Sequence, residues 1–335
     1  MRNITILDIA RELHISKSTV SRALANHPNV HPDTRKRVLE VAQFYDYQPN
    51  MIAKSLLQQK TYNLGVVIPD IQKPFYAAIV SGIQQTASQA GYRIIITQSN
   101  ESVSEETSNI EALVRSRVDG LLVCHTRATE EFKQIHRLHK KGLRIVEFAR
   151  VCPDLPVSTV VENDVDGAYA VVRHLLDKGA KRVGLLSGPK GLTVSRLRET
   201  GYRKALDEAG ITVEQKWIAH TRFLNEDIEK AVEKWMGARM KPDAIFSIYD
   251  AGAVDAMQWL QKSGQRIPED IQVAGFGDDP SAALVRPSLT TYSQTPLKIG
   301  QVACNQMLRI LSDKNAAVEN QIVRGELVVR NSTRL

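Results

Sequence analysis

The sequence predicts a small all-α head at the N-terminus, followed by an α/β body of two similar lobes with parallel sheets. Residues 4–45 carry three short helical patterns, whereas short β-rich runs alternate with helical patterns from Tyr62 onward. Repeated βα units are typical of a parallel sheet that is covered by helices on both faces. The length of 335 residues is sufficient for two or three domains with a large buried core.

The first helix of the head is predicted by its cap and its apolar spacing. Thr5 is a candidate N-cap, and Asp8 stands three residues later, where it completes a box-like start. The apolar stripe that follows consists of Ile6, Ile9, Ala10 and Leu13. His14 and Ile15 leave only a tight turn before Ser16, which is a candidate N-cap of a second helix.

The second helix, "SKSTVSRAL" at residues 16–24, has one polar and one apolar face. A spacing of about 100° per residue places the polar side chains in one sector, which contains Lys17, Ser18, Ser21 and Arg22. Two short helices joined by a tight turn are a helix-turn-helix candidate, and the second helix of that motif lies in the major groove of DNA. The alternative is an ordinary amphipathic surface helix.

A third helix and a linker complete the N-terminal part of the chain. Pro32 fits the first turn of the third helix, which carries Val38, Val41, Ala42 and Tyr45. Residues 46–50 interrupt the helical pattern, and the sequence of residues 51–57 predicts one further short helix. We therefore expect a linker with a small helix in it before the body begins.

The body is predicted from two series of strands and helices. The first series has strands at 64–68, 92–97, 120–124 and 143–148, with helices near 75–90, 103–117 and 129–141. The second series begins with a helix near 164–178 and continues with strands at 182–186, 217–219, 244–247 and 272–276 and helices near 195–209, 225–236 and 251–263. Because ligands of open parallel sheets bind beyond the carboxyl ends of the strands, the polar and aromatic residues that follow these strands are site candidates. Two lobes that offer such residues to each other form a cleft.

The charge distribution and the cysteines restrict the function classes. The net charge is +7, and residues 1–60 contain nine Lys or Arg against five Asp or Glu, which predicts a polyanionic partner for the head. Cys124, Cys152 and Cys304 form no C-x-x-C pair, which predicts a reducing, cytoplasmic location. No apolar run reaches the about 18 residues that span a bilayer, so we expect no membrane partner.

Several spaced motifs make the chain similar to the lactose/purine repressor family of bacterial transcription regulators. The match is near-continuous over residues 4–57 and extends through "GVVIPDIQKPFYAAIVSGI", "RVDGLLV", "RLRETGYRKAL", "RIPEDIQVAGFGDD" and "RPSLTTYSQ". The resemblance implies a helix-turn-helix DNA-binding head at 1–46, a hinge helix and linker at 47–61, and a two-lobed periplasmic-binding-protein-like body at 62–335 for effector binding and dimerisation. The N-lobe is expected at about 62–161 and 291–320, and the C-lobe at about 162–290 and 321–335.

The resemblance also implies the residues that contact double-stranded DNA. Lys17, Ser18, Ser21 and Arg22 face the major groove, and Asn29, His31 and Thr34 correspond to phosphate contacts. Leu56 corresponds to a hinge-helix leucine that wedges into the minor groove of a near-palindromic operator, which requires a homodimer. Ser16, Tyr47 and Asn50 complete the expected set. The alternative for Leu56 is a plain helix contact.

For the effector, the resemblance implies a small molecule, a sugar or a sugar acid, held between the lobes. Arg198 matches the ligand-gripping arginine of the family, and Phe75 or Tyr76, together with Phe223, match aromatic positions that stack on sugars or bases. The remaining candidates are Arg150, Asn163, Asp250 and Asp278. Core packing is the alternative for each aromatic residue, and an exposed helical arginine is the alternative for Arg198. The sequence departs from the family pattern at Ala149, Tyr249 and Gly277, so the ligand need not be one that familiar members bind.

Other function classes lack their motifs. The turn after the first strand lacks the glycines of a dinucleotide site, and Gly188-Pro189-Lys190-Gly191 lacks the G-K-[ST] ending of a phosphate loop, so we interpret it as a lobe-edge turn. His136 and His139 lie among basic residues that disfavour a metal. We therefore expect no enzyme, no metal and no cofactor. A secreted sugar-binding protein shares the two-lobed body but not the helical head. The mechanism we expect is coupled binding, in which lobe closure on the effector changes the affinity for operator DNA.

Overall fold

The computed structural model describes residues 4–47, 60–129, 131–313 and 315–334. The chain divides into two compact units, Met1–Thr61 and Tyr62–Leu335. Within the described ranges, no helix is long and apolar enough to cross a membrane.

The head unit contains the three predicted helices, which are α1 (Ile6–Glu12), α2 (Lys17–Leu24) and α3 (Pro32–Phe44). The predicted caps are confirmed: the backbone N–H of Thr5 donates to Asp8 at 2.9 Å, and the backbone N–H of Thr19 donates to the Ser16 hydroxyl at 3.1 Å. The core between the helices is formed by Ile9, Ala10, Val20, Ala23, Val30, Val38 and Ala42. Tyr45 is the C-cap of α3, one residue beyond the helix that was expected to include it.

In the described part of the body, the first lobe has a sheet of six parallel strands. These are β1 (Asn63–Ile68), β2 (Arg93–Gln98), β3 (Gly120–Val123), β4 (Arg144–Phe148), β5 (Ser158–Glu162) and β11 (Asn320–Val323), in the order β11-β5-β4-β3-β1-β2. The helices that cover it are α4 (Pro74–Gln89), α5 (Val103–Arg115), α6 (Lys133–Lys140) and α11 (Pro296–Ser312). Val66 pairs with Ile96 on one side and with Leu122 on the other, and Val66 is fully buried because helices pack on both faces.

The second lobe repeats this arrangement around a second six-stranded sheet, again within the described residues. Its strands are β6 (Val183–Ser187), β7 (Ile218–His220), β8 (Ala244–Ser247), β9 (Gln272–Gly277), β10 (Thr290–Ser293) and β12 (Glu326–Val328), in the order β12-β10-β9-β8-β6-β7. Only the pairing of β10 with β12 is antiparallel among these strands. The helices of this lobe are α7 (Asp164–Asp177), α8 (Thr193–Glu208), α9 (Asn225–Met236) and α10 (Asp250–Lys262).

The chain crosses between the lobes at three places, and these shift the expected lobe limits by a few residues. The strand at 290–293 belongs to the second sheet, whereas the first lobe was expected to resume at 291. The strand at 320–323 belongs to the first sheet, so the last crossing lies after residue 323 rather than at 320. Strands β5, β10, β11 and β12 were not predicted as elements, because each has only three to five residues and lacks a long apolar run.

Candidate functional sites in the head and in the body

The polar face of α2 is exposed, as the helical wheel predicts. Lys17, Ser18, Ser21 and Arg22 are all exposed, whereas Val20 and Ala23 are buried. Within the described part of the chain, the side chains of Lys17 and Arg22 form neither an ion pair nor a hydrogen bond. Two cations without partners on one helix face leave their full charge available to an anionic surface.

The N-cap of α2 fixes the first turn of this face. The Ser16 hydroxyl lies 2.7 Å from the Ser18 hydroxyl and 2.8 Å from the Thr19 hydroxyl, in addition to accepting from the backbone of Thr19. The turn before it is closed by the backbone N–H of Ile15, which donates to Ala10 at 3.0 Å, and His14 adopts a φ of 51°. The short turn therefore holds α1 and α2 in a fixed relation.

The expected phosphate contacts lie around the start of α3. Asn29 is exposed, and His31 is the N-cap of α3, where its Nδ1 accepts from the backbone of Asp33 at 3.4 Å. Thr34 is half-buried in the first turn. Arg35, which sequence reasoning missed, donates to the carbonyl oxygen of His27 at 2.8 Å and so holds the loop in place. Tyr47 is half-buried, and its backbone N–H donates to Ala42 at 2.8 Å, while Asn50 and Leu56 lie outside the described residues.

In the body, Arg198 is buried and held on every side. Its Nε donates to Asp164 at 2.7 Å, one terminal nitrogen donates to the carbonyl oxygen of Ile248 at 2.6 Å, and the other lies 3.3 Å from Glu162. The guanidinium carbon lies 3.8 Å from the centre of the Phe276 ring. The alternative of an exposed helical arginine is wrong, since Arg198 is only 7% exposed.

Glu162 and Gln294 join this cluster at two of the crossings between the lobes. The amide of Gln294 donates to Glu162 in a short hydrogen bond, and the second carboxylate oxygen of Glu162 is buried without a partner among the described residues. Burial and the nearby charge of Asp164 raise the pKa of Glu162, whereas Arg198 and the hydrogen bond from Gln294 oppose this rise. Sequence reasoning missed Glu162, Asp164 and Gln294, because their proximity depends on crossings that no spacing shows.

Arg150 is likewise paired rather than free. It contacts Glu101 at 2.9 Å, and its guanidinium carbon lies 5.9 Å from the centre of the Tyr76 ring. Tyr76 is buried in the core of the first lobe, whereas Phe75 is half-buried and packs edge-on against it at 5.2 Å. Of the two aromatic candidates, Phe75 is the more accessible.

Two further candidates, Asp250 and Asp278, form contacts with other residues of the second lobe. Asp250 is 1% exposed and accepts from the Thr291 hydroxyl at 2.5 Å and from the backbone of Asp279 at 2.7 Å. Burial raises its pKa to about 6. Asp278 pairs with Arg330 at 2.7 Å.

Of the two remaining effector candidates, Asn163 caps a helix and Phe223 packs against another aromatic ring. The Asn163 side chain caps α7 by accepting from Asp166, at a distance of 3.4 Å. Phe223 is half-buried and packs edge-on against Tyr249 with ring centres 4.8 Å apart. Phe223 lies close to Gly188 and Ser195, since a Cβ on Gly188 would come within 2.4 Å of the ring and within 2.5 Å of the Ser195 hydroxyl. This end of β6 therefore admits no side chain at position 188.

A buried histidine with two carboxylates was also missed. His125, which follows β3, lies 2.8 Å from Glu106 on one ring nitrogen and 2.8 Å from Glu147 on the other. Burial alone would lower the pKa of His125, but the hydrogen bonds to the two carboxylates outweigh it and raise that pKa to about 9. The carbonyl oxygen of His125 also faces Arg150 at 3.4 Å, so the cluster supports the cleft side of the first lobe. Within the described ranges, no group of His, Cys, Asp or Glu could hold a metal ion.

The comparisons with known proteins match both units. Residues 5–50 match the model of the bacterial regulatory proteins of the lacI family, and residues 172–333 match a periplasmic binding protein-like domain. The chain is 32% identical over 323 residues to catabolite control protein A of Priestia megaterium, covering 96% of each chain. It is 29% identical over 335 residues to the HTH-type transcriptional repressor CytR of Escherichia coli K12, covering 98% of this chain and 96% of that protein.

A solved structure shows the same fold. The lac repressor dimer bound to operator and the anti-inducer ONPF aligns with a TM-score of 0.87 at 23% identity, covering 100% of both chains. A helical head and a two-lobed body thus occur together in a chain of the same extent.

Proposed function

Because the chain belongs to the lacI family of bacterial regulatory proteins, we propose that it is a repressor that binds a specific operator and responds to a small effector. The observation that carries this proposal is the exposed polar face of α2, where Lys17 and Arg22 have no partner among the described residues. A structural surface helix gains little from unpaired cations, whereas a helix that enters the major groove needs them free.

In the proposed complex, α2 lies in the major groove. Arg22 donates a bidentate pair to a guanine, Lys17 and Ser18 contact neighbouring bases, and the short Ser21 side chain lets the backbone approach. Ser16, Asn29, His31 and Thr34 contact phosphates. The phosphate contacts fix the position of the head along the DNA, and the base contacts supply the sequence preference.

We assign residues 47–61 to a hinge and linker that reaches the operator centre. Tyr47, Asn50 and Leu56 contact DNA there, and Leu56 wedges between base pairs of the minor groove. One wedge from each of two subunits bends the duplex, so the functional unit is a homodimer on a near-palindromic site. Exposed apolar residues on the edge strand β2, where Ile95 is 36% and Ile96 is 42% exposed, favour a subunit contact on this lobe.

The effector lies in the cleft at the carboxyl ends of the two sheets. Phe75 and Phe223 offer accessible aromatic surface to a carbohydrate-derived ligand, while Arg198 and Asp250 hold the surrounding walls through their buried contacts. Arg150, Asn163 and Asp278 support the same walls, and Tyr76 supports Phe75 from the core. The two arginines give no free charge to a sugar acid, since Glu101 pairs with Arg150 and two carboxylates pair with Arg198.

The chain performs no reaction in this proposal and requires no cofactor. It acts in the cytoplasm, where its operator DNA lies. Binding of the effector stabilises one arrangement of the lobes, and the free energy of that preference changes the affinity of the dimer for the operator.

The test is the specificity of Arg22→Ala, measured by fluorescence anisotropy on labelled operator and on scrambled DNA at one fixed ionic strength. We expect the variant to lose about 1–3 kcal/mol of discrimination and to retain the weak, salt-dependent binding. Arg37→Ala is the matched control, because Arg37 is an exposed arginine of the same head on α3, outside the expected contact set. Undiminished discrimination by Arg22→Ala would refute the groove assignment.

A further inference from the structure

A polar pocket outside the expected effector set lies on the flank of the second lobe, between α8 and β7. It has a volume of about 350 Å³ and is lined by Lys190, Ser195, Arg196, Glu199, Thr200, Arg203, Gln215 and His220. None of these residues belongs to the expected effector set. Its rim includes Lys190, which lies in the loop Gly188-Pro189-Lys190-Gly191 that the sequence predicts as a lobe-edge turn.

The first turn of α8 enters this pocket without a cap. The N-cap residue is Leu192, whose side chain has no acceptor for the free N–H groups of the first turn. α8 has 16 residues, and the aligned peptide dipoles of such a helix place a partial positive charge at its N-terminus. An uncapped helix start at the end of a strand-loop-helix unit is a common binding position for phosphate groups.

A buried hydroxyl points to a ligand independently of the helix. Ser195 is 1% exposed, lines the pocket, and its Oγ has no hydrogen-bond partner among the described residues. A buried hydroxyl without a partner costs free energy, so a ligand oxygen that accepts from it or donates to it removes that cost.

The charges of the pocket select an anion. Lys190 and Arg196 are exposed at the rim and pair with no described residue. The one carboxylate of the lining, Glu199, is already held by Arg203, whose Nε lies at 2.9 Å and whose terminal nitrogen lies at 2.7 Å. His220 lies 3.8 Å from Glu199 and 3.3 Å from the carbonyl oxygen of Gly188, so its ring stands at the inner wall. The pocket therefore retains the positive charge of Lys190 and Arg196.

We infer that this pocket binds a phosphate monoester group, either the phosphate of the effector itself or free inorganic phosphate. In this arrangement the Ser195 hydroxyl and the N–H groups of the α8 start donate to the phosphate oxygens, and Lys190 and Arg196 neutralise its charge. Ser195 and Phe223 both lie close to Gly188, and Gly188 therefore links the pocket to the aromatic surface of the cleft. A sugar phosphate in this arrangement places its ring on Phe223 and its phosphate at the start of α8.

Only the effect of this pocket on operator affinity rests on the proposed function. Phosphate binding is therefore measured first, without DNA. Isothermal titration calorimetry of the full chain with hexose 6-phosphates, the parent hexoses and inorganic phosphate separates the two sources, with chloride at matched ionic strength as the reference. We expect at least one phosphate probe to bind saturably at millimolar concentration or below. If a hexose phosphate binds about tenfold more tightly than inorganic phosphate, the ligand is the sugar phosphate, and equal affinities assign the pocket to the free anion.

The variant that tests the site is K190A/R196A, which removes two exposed side chains. We expect phosphate binding to weaken at least about tenfold, and Ser195→Ala to weaken it by a smaller factor. K230A/K234A is the matched control, because it removes two exposed lysines from α9 of the same lobe and so the same amount of charge.

Two results would overturn the inference: no phosphate probe binds the wild-type chain, or K190A/R196A binds as tightly as K230A/K234A. Operator binding of the same preparations is measured in parallel. If the wild-type chain binds operator but no phosphate probe, only this inference is contradicted. If the wild-type chain binds phosphate but no operator, only the proposed function is contradicted.

Discussion

The head and the body use arginine in opposite ways. Arg22 on α2 is exposed and without a partner among the described residues, whereas Arg198 in the body is 7% exposed and contacts two carboxylates and a carbonyl oxygen. The first is available to an external anion, and the second holds internal charges together. An arginine without a partner in the protein can offer its charge to a ligand. An arginine that is paired with carboxylates of the protein instead stabilises the residues around the site.

The largest effect is expected where an internal arginine is removed. Arg198→Ala leaves Asp164 and Glu162 buried without their cation, so we expect the body to lose about 3–5 kcal/mol of unfolding free energy. Urea unfolding followed by tryptophan fluorescence measures this, because all three tryptophans, Trp217, Trp235 and Trp259, lie in the body.

Arg196→Ala, an exposed arginine on the same helix, is the control for this experiment, and its unfolding free energy should stay within about 0.5 kcal/mol of the wild type. Equal stabilities of the Arg198→Ala and Arg196→Ala variants would show that Arg198 does not hold the cluster, and the contrast with Arg22 would fail.

The second-largest effect is a pH dependence of the stability of the body, which the His125 cluster causes. Folding raises the pKa of His125 from its ordinary value of 6.5 to about 9, so its protonated ring stabilises the folded body fully below about pH 6.5. This contribution, up to about 3 kcal/mol, is lost as the pH rises through 9. The temperature of half-unfolding should therefore decrease as the pH rises from 7 to 10.

Glu106→Gln sharpens this second prediction, because removing one carboxylate partner lowers the pKa of the folded-state histidine. We expect the loss of stability to begin at a lower pH than in the wild type. Glu111→Gln changes an exposed carboxylate of the same helix and should leave the pH profile in place. Identical profiles for Glu106→Gln and wild type would exclude the His125 cluster as the cause.

A third change separates charge from geometry in the head. Arg22→Lys keeps the positive charge but loses the two-pronged donor, so we expect about 1–3 kcal/mol less discrimination between operator and scrambled DNA. Binding to scrambled DNA at the same salt should hardly change, and tryptophan fluorescence should show wild-type unfolding of the body. Competition titrations with both DNAs measure the difference, and full discrimination by Arg22→Lys would show that Arg22 supplies charge alone.

The smallest effect is expected at the cap of α2. Ser16→Ala removes the acceptor for the backbone N–H of Thr19, which should cost the helix about 1 kcal/mol. Hydrogen exchange of the α2 amides measures this loss directly. Ser21→Ala, an exposed serine of the same helix without a capping role, should leave the exchange unchanged, and equal exchange in both variants would contradict the cap.

The elements of the fold were predictable where a pattern is local. The caps at Thr5 and Ser16, the two faces of α2 and the long buried strands all follow from spacing within a few residues. The short strands at 158–162 and 326–328 were missed because pairing with distant strands, rather than their own apolar content, makes them strands.

The candidate sites divide in the same way. The α2 face could be predicted because every member lies on one helix. The partners of Arg198 and Arg150 could not. Glu162 and Asp164 reach Arg198 from a crossing between the lobes, and Glu101 follows β2, which β3 and β1 separate from the strand before Arg150. An arginine in a sequence shows its charge but not the carboxylate that neutralises it.

The most direct test of the coupling between the two units is operator binding by the full wild-type chain, measured by anisotropy at one stated salt concentration with and without a panel of sugars, sugar acids and sugar phosphates. We predict tight binding to one upstream sequence that competitor DNA does not displace, and a change in affinity of at least about tenfold with one compound of the panel. Weak binding that every DNA sequence supports equally, with no compound changing it, would contradict a ligand-controlled repressor.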